Sequence, residues 1–334
     1  MKKELAKTYA PAEVDMKNIN IVFDTDAGSD CDDMMALAYL IYGRRHLGVN
    51  LLAITHCLSG NYAIPAIRAF FRHYGESVPA VGKVEDGVKL PDKYCGAVSE
   101  RFGISEDFAP VNNAVSVLRR TLAECEGKCV ICAVGHFTNI AQLIRSDGDD
   151  LSPLRGIDLL REKCEKLVVM AAKFRVNDQG ILDADWNIRK DVPSAKIMFE
   201  ECPVPIVALP SETGKYMMTG RELYAKYGDN DPLALSFAKY LTYDHFSISD
   251  GRHSWDPATV VYAVEGCRDF LSESERGKVL LTDDGISYFT PDSEGNVTVL
   301  TNALIAGETE TDSKARMARY IDCCVEQMIY ESSK

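Results

Sequence analysis

An α/β fold, with a mostly parallel central sheet flanked by helices, is what the sequence predicts. Short runs of consecutive apolar residues alternate with segments that are apolar at helical spacing. The runs are apolar throughout rather than at every second position, as strands buried on both faces of a parallel sheet are. The first run also ends in a cluster of aspartates that opens a helix, at the edge where open α/β sheets bind ligands.

The elements follow in order. Ile19–Phe23 reads as a strand, and DDMMALAYLIYG from Asp32 as a helix whose first turn Asp32 is suited to cap. Further strands are expected at Val49–Thr55, Val78–Val81, Val130–Val134, Leu167–Ala171 and Val204–Leu209. Helices fit Ala63–Tyr74, Ala114–Cys125, Thr138–Arg145, Pro193–Cys202 and Arg221–Tyr227. Residues 232–264 then read as helix in two pieces, broken around Ser249–His253 and placed to cover a site at the sheet's carboxyl edge. Val279–Leu300 reads as a small antiparallel hairpin turning at 291–296, and Lys314–Glu331 as a closing helix. No linker, repeat or low-complexity stretch divides the chain, so 1–334 is read as one domain.

Bulk properties narrow the function. The 334 residues are 46% hydrophobic and 26% charged, an ordinary globular mix. Asp+Glu 50 against Lys+Arg 37 gives a net charge of −13, which argues against nucleic acid or an anionic membrane as the main partner. No apolar run is long enough to span a bilayer, and MKKELAKTYAPAEVDMKN lacks the apolar core of a signal peptide, so a cytoplasmic location is expected. The 11 cysteines show no paired CxxC spacing and read as reduced, small hydrophobes.

Asp24, Asp26, Asp30, Asp32 and Asp33 crowd into ten residues between the first strand and its helix. Like charges at that density raise one another's pKa unless a cation or donors compensate, and a hard divalent cation with oxygen ligands is the natural partner. A helix dipole accounts for Asp32 and Asp33 but not for Asp24 and Asp26. An EF-hand fits poorly, because a strand precedes the cluster and Gly28 stands at the fifth position from Asp24. A haloacid-dehalogenase-type phosphohydrolase also starts with a strand ending in DxD, but the run here continues Ala27-Gly28-Ser29.

DTDAGSDCDDMMALAYL resembles the DxDxGxDDAxAL fingerprint of the inosine–uridine-preferring nucleoside hydrolase family, with Asp30-Cys31 as two extra residues. Ile54-Thr55 with Gly60-Asn61, Ala133-Val134-Gly135-His136-Phe137-Thr138-Asn139, Ala184-Asp185-Trp186-Asn187 with Asp191, and Ser254-Trp255-Asp256-Pro257 resemble its later motifs, in order. The resemblance implies a Ca²⁺ site formed by Asp26, Asp33, Asp256 and the Val134 carbonyl, with Asp26 as general base. It also implies that Asp32, or Asp30 in its place, and Asn61, Asp185 and Asn187 hold ribose. Trp255 stands where broadly acting members carry a histidine and resembles the purine-specific branch, in which the base is stacked; packing beneath the metal loop is the alternative. His136 and His253 are the candidates for a leaving-group acid, and the tyrosines of 210–250 are candidates for the base pocket. Asp185 for Glu, Gln179 for Asn and Met170-Ala171-Ala172 for Met-Gly-Gly depart from the pattern. The implied activity is hydrolysis of an N-riboside, purine rather than pyrimidine, by a homo-oligomer. The competing reading is a protein that keeps the metal and ribose grip without catalysis.

Overall fold

The computed structural model describes residues 18–60, 62–177 and 179–334. Its elements are β1 Ile19–Thr25, α1 Asp32–His46, β2 Val49–Leu58, α2 Ala63–His73, β3 Ala80–Val88, α3 Cys95–Phe102, β4 Asn112–Asn113, α4 Ala114–Glu124, β5 Cys129–Ala133, α5 Thr138–Arg145, α6 Gly156–Lys163, β6 Cys164–Met170, α7 Trp186–Lys190, α8 Val192–Glu201 and β7 Ile206–Leu209. There follow α9 Ser211–Gly214, β8 Met218–Thr219, α10 Leu223–Tyr227, α11 Pro232–Tyr243, β9 Arg252–His253, α12 Trp255–Glu265, β10 Leu271–Glu273, β11 Gly277–Leu281, β12 Ser287–Pro291, β13 Val297–Asn302 and α13 Glu310–Ser332. Among the described residues no helix is long and apolar enough to cross a membrane.

The strands join in the order β12-β11-β13-β7-β6-β5-β1-β2-β3-β4. From β4 to β13 every neighbouring pair is parallel, and the chain runs outward from β1 to β4 before returning to the other side of β1 as β5. The gap between β1 and β5 is therefore the switch point at which open sheets of this kind leave a crevice. β1 ends at Thr25 and β5 at Ala133, so Asp26 and Val134 sit side by side at that crevice.

Apolar clusters cover both faces of the sheet. Residues Asp32 to Gly43 of α1 are all buried. That explains why its apolar residues go all round the helix: α12 and α13 cover the side turned away from the sheet. Nine of the eleven cysteines are buried and all are free, packing as small apolar side chains.

The C-terminal hairpin is present but turns elsewhere. β11 and β12 pair through a turn over 282–286, whereas 291–296 leads into β13, which inserts parallel to β7. Helices α3 and α6 were not expected. Each carries a glycine in its first turn, Gly96 in α3 and Gly156 in α6, which weakens the helical signal, and α3 is started by Asp92, whose carboxylate accepts from the Cys95 and Gly96 amides. Helix α11 lies over the carboxyl edge, and β8 pairs with β9 to carry the chain back to α12.

Candidate active site

A cavity of about 560 Å³ opens at the β1/β5 crevice. Asp26, Asp30, Asp32, Val134, Asp185, Asn187, Trp255 and Asp256 all line it, and Asp33 lies beneath. Asn61 lies outside the described residues.

The loop after β1 is fixed from below. Asp24 accepts from the Thr55 hydroxyl at 2.5 Å and the Asn139 amide at 2.7 Å, tying β1 to β2 and α5, and burial raises its carboxyl to about 7. The His56 ring bridges the Ala27 and Leu58 carbonyls, a tether that sequence reading did not find. Gly28 takes φ +110°, which an L side chain rarely adopts, and so turns the chain between Asp26 and α1. A Cβ on Gly135 would stand 2.7 Å from the Asp26 Cβ, so glycine is what allows β5's loop to approach.

Asp26, Asp33 and Asp256 bring carboxylate oxygens within 4.8 Å of one another. The Asp33 Oδ1 accepts from the Thr25 hydroxyl, while its Oδ2 is buried with no partner. Burial first, and then the neighbouring aspartates, hold the Asp33 and Asp256 carboxyls well above the usual range. Oxygens around one Ca²⁺ at roughly 2.3–2.6 Å lie up to about 5 Å apart. A buried triad of that span with an orphan oxygen fits a hard divalent cation.

Asp32 departs from its expected local role. Helix α1 has no side-chain cap, and Asp32 Oδ2 instead accepts from the Trp255 amide at 3.0 Å and the Asp256 amide at 3.1 Å. It caps α12 and so positions Asp256, the third carboxylate of the triad. Asp30 turns away: both its oxygens receive Arg252, and the Tyr240 hydroxyl donates to it at 3.2 Å.

On the opposite wall, Asp185 caps α7 through the Asn187 and Ile188 amides, accepts from the Ser211 hydroxyl, and is raised to about 6 by burial. Asn187 donates to the Val134 carbonyl at 2.7 Å, fixing the oxygen expected to face the metal. Asp191 caps α8 and holds the Thr138 hydroxyl at 2.5 Å.

The Trp255 indole donates to the Ser211 carbonyl at 2.7 Å, and Gly214 lies against its ring. Neither histidine stands where a leaving-group acid would. His136 is fully buried beside Asp26 (3.7 Å) and held neutral by burial, while His253 accepts from the Tyr216 amide and is lowered to about 4, mainly by burial. Neither lines the cavity. Tyr240 and Tyr243 do line it, as do Lys93, Trp186, Lys190, Asp244 and Arg252, which sequence reading left unassigned.

Fold and site together define an α/β protein with a buried carboxylate triad, suited to a divalent cation, at the switch point of a parallel sheet. The model of the inosine-uridine preferring nucleoside hydrolase family matches residues 21–327, and the chain belongs to that family. Solved structures share the fold. An inosine-uridine preferring nucleoside hydrolase from Bacillus anthracis aligns at TM-score 0.63 and 18% identity, over 90% of this chain and 99% of its own. An inosine-guanosine nucleoside hydrolase aligns at 0.68 and 16%, over 92% and 98%. The type III effector XopQ complexed with adenosine diphosphate ribose aligns at 0.64 and 13%, over 98% of each chain. No curated protein matches significantly.

Proposed function

We propose that the chain is a Ca²⁺-dependent N-ribohydrolase acting on a ribonucleoside, purine rather than pyrimidine. The observation that carries the reading is the Asp26–Asp33–Asp256 triad facing Asp185 and Asn187 across one cavity. Asp26, Asp33, Asp256 and the Val134 carbonyl would hold the cation, which would supply Lewis acidity toward a water beside C1′. Ser29 donates to Asp26 Oδ2 at 2.6 Å, leaving Oδ1 to take the water's proton. Asp32 Oδ1 has no partner among the described residues, so Asp32 rather than Asp30 is free to accept a ribose hydroxyl. Asp185 and Asn187 grip the sugar from the other side, and binding energy from its hydroxyls distorts it toward the oxocarbenium-like state. A cytoplasmic dimer or tetramer is part of the same proposal.

The non-catalytic reading rests on Trp255, whose ring lies under the Arg252 guanidinium, and on the changed sugar-segment residues. Sugar release from inosine, adenosine, guanosine, uridine, cytidine and 4-nitrophenyl riboside, with Ca²⁺ or a chelator, separates the two. Chelator-sensitive turnover, abolished in Asp26→Ala, is expected; Ca²⁺ binding without any turnover would establish the binding protein instead.

A further inference from the structure

Beside Trp255 the cavity carries no histidine among the described residues. His253 and His136 do not line it, Lys93 is paired with Asp244 at 2.8 Å, Lys190 lies over the Trp186 ring, and the Tyr240 hydroxyl donates to Asp30. What stands there is Arg252. Its side chain is 14% exposed. Its Nε donates to Asp30 at 2.8 and 3.1 Å, and its Nη2 to Asp30 Oδ2. Its Nη1 has no hydrogen-bond partner among the described residues. The guanidinium carbon lies over both the Tyr240 and the Trp255 rings, 4.9 Å from each centroid. A base stacking on Trp255 would have to share that ring with a fixed cation.

The geometry points to Arg252 as the group that receives the departing base, an assignment that rests on the hydrolase reading above. A guanidinium keeps its proton at any working pH, so it acts by charge and hydrogen bonding, not as an acid. The C1′–N bond breaks with both electrons staying on the ring nitrogen, and the base leaves as an anion. The attacking water gives its oxygen to C1′ and one proton to Asp26, and the anion is later protonated from solvent. The two Nη1 hydrogens are held ready for an acceptor of the base, nitrogen or carbonyl oxygen, on which that negative charge is delocalised. Fixed donors aimed at developing charge need no reorganisation in the transition state. The substrate class is thereby narrowed to N-ribosides whose base departs as an anion. Ribosides of pyridinium bases, which are cationic and release a neutral ring, would be repelled by Arg252 and gain nothing from it.

Arg252→Gln and Arg252→Lys test this on the best nucleoside of the panel and on 4-nitrophenyl riboside, whose leaving group needs little help. The Gln variant should lose on the order of 100-fold in kcat on the nucleoside and at least tenfold less on the aryl riboside, with Lys recovering part of the loss. Melting curves with and without Ca²⁺ check that both variants fold and bind metal. Equal losses on both substrates, or none, overturn the assignment while leaving the hydrolase reading intact. A wild type that cleaves no nucleoside overturns the assignment too, and its action on 4-nitrophenyl riboside then decides whether the hydrolase reading survives.

Discussion

The floor and the roof of the cavity are built by different rules. The floor is made from strand ends that are neighbours in the sheet: Asp26 follows β1 and Val134 follows β5, so backbone pairing alone brings them together. The roof depends on side chains meeting over long stretches of sequence, with Arg252 and Asp30 separated by 222 residues. A site fixed by backbone topology tolerates change around it, whereas one fixed by a single ion pair can be redirected by two substitutions. In this chain the acidic floor keeps the residues of the family's fingerprint, whereas the roof carries Trp255 and Arg252 where the family pattern offers no counterpart to their pairing.

The sharpest way to test the floor is Asp33→Asn. With Ca²⁺ present, kcat/KM should fall at least about 100-fold, because several kcal/mol of charge stabilisation go with the metal. Stability should move in opposite directions in the two metal states. Burial and Asp26 hold the Asp33 carboxyl up, so in the metal-free protein its stabilising contribution is full at low pH and is lost as pH rises. The neutral amide removes that loss, and the metal-free variant should melt higher than the metal-free wild type at pH 7. The stabilisation by added Ca²⁺, about 2.7 kcal/mol at a hundredfold excess over Kd and read as a higher melting temperature, should disappear. A variant that keeps the Ca²⁺ shift would show that the triad is not the metal site.

Asp185 stands between floor and roof, and a smaller effect is expected there. Its carboxyl lies at about 6 because of burial, and only the ionised form accepts freely from a sugar hydroxyl. Wild-type kcat/KM should therefore rise between pH 5 and 7 with an inflection near 6. Asp185→Asn keeps the α7 cap through its remaining oxygen, should lie about tenfold lower at pH 8, and should lack that inflection. The raised value also means that Asp185 stabilises the fold fully below about pH 4 and loses this contribution as pH rises through about 6. The variant should then gain stability relative to wild type above pH 6. An inflection that persists unchanged in the variant belongs to another group and removes Asp185 from the sugar-binding set.

This division also governs what the sequence made legible. Asp26 stands out because a strand end packed with acids has no comfortable structural explanation, whereas Asp33, at a helix start, and Asp256, far along the chain, are picked out only by the resemblance of their motifs. Helices with a full apolar period, such as Ala114–Glu124, are visible for a local reason too. Asp32 misleads because a carboxylate at a helix start looks like that helix's cap, while the amides that it binds belong to residues 255 and 256. Arg252 and Lys93 carry no local signature, since an isolated cation means nothing until its partner across the fold is known. The C-terminal hairpin shows the same limit. Both 282–286 and 291–296 contain turn residues, and only sheet order reveals that the first closes the hairpin while the second carries the chain to β13.

The smallest predicted effect concerns the joint between the two regions. Ala172 follows β6 with φ +75°, a left-handed conformation that costs an L residue roughly 1–2 kcal/mol. It stands where the family pattern has glycine. Its carbonyl accepts from the Ser211 amide at 2.9 Å, Ser211 donates to Asp185, and the Ser211 carbonyl receives the Trp255 indole. The strained residue thus anchors a serine that touches both the sugar side and the roof. Ala172→Gly removes the strain but frees the unfolded chain, so the net gain should be only about 0.5–1 kcal/mol, read as a higher denaturation midpoint at unchanged m-value. Turnover should change less than about twofold if Ala172 is only a joint held at a cost. A stabilised variant with markedly lower kcat would instead mean that the methyl group, fully buried behind Ser211, helps set the position of Asp185 or Trp255. The floor and the roof would then be mechanically coupled through β6 rather than built independently.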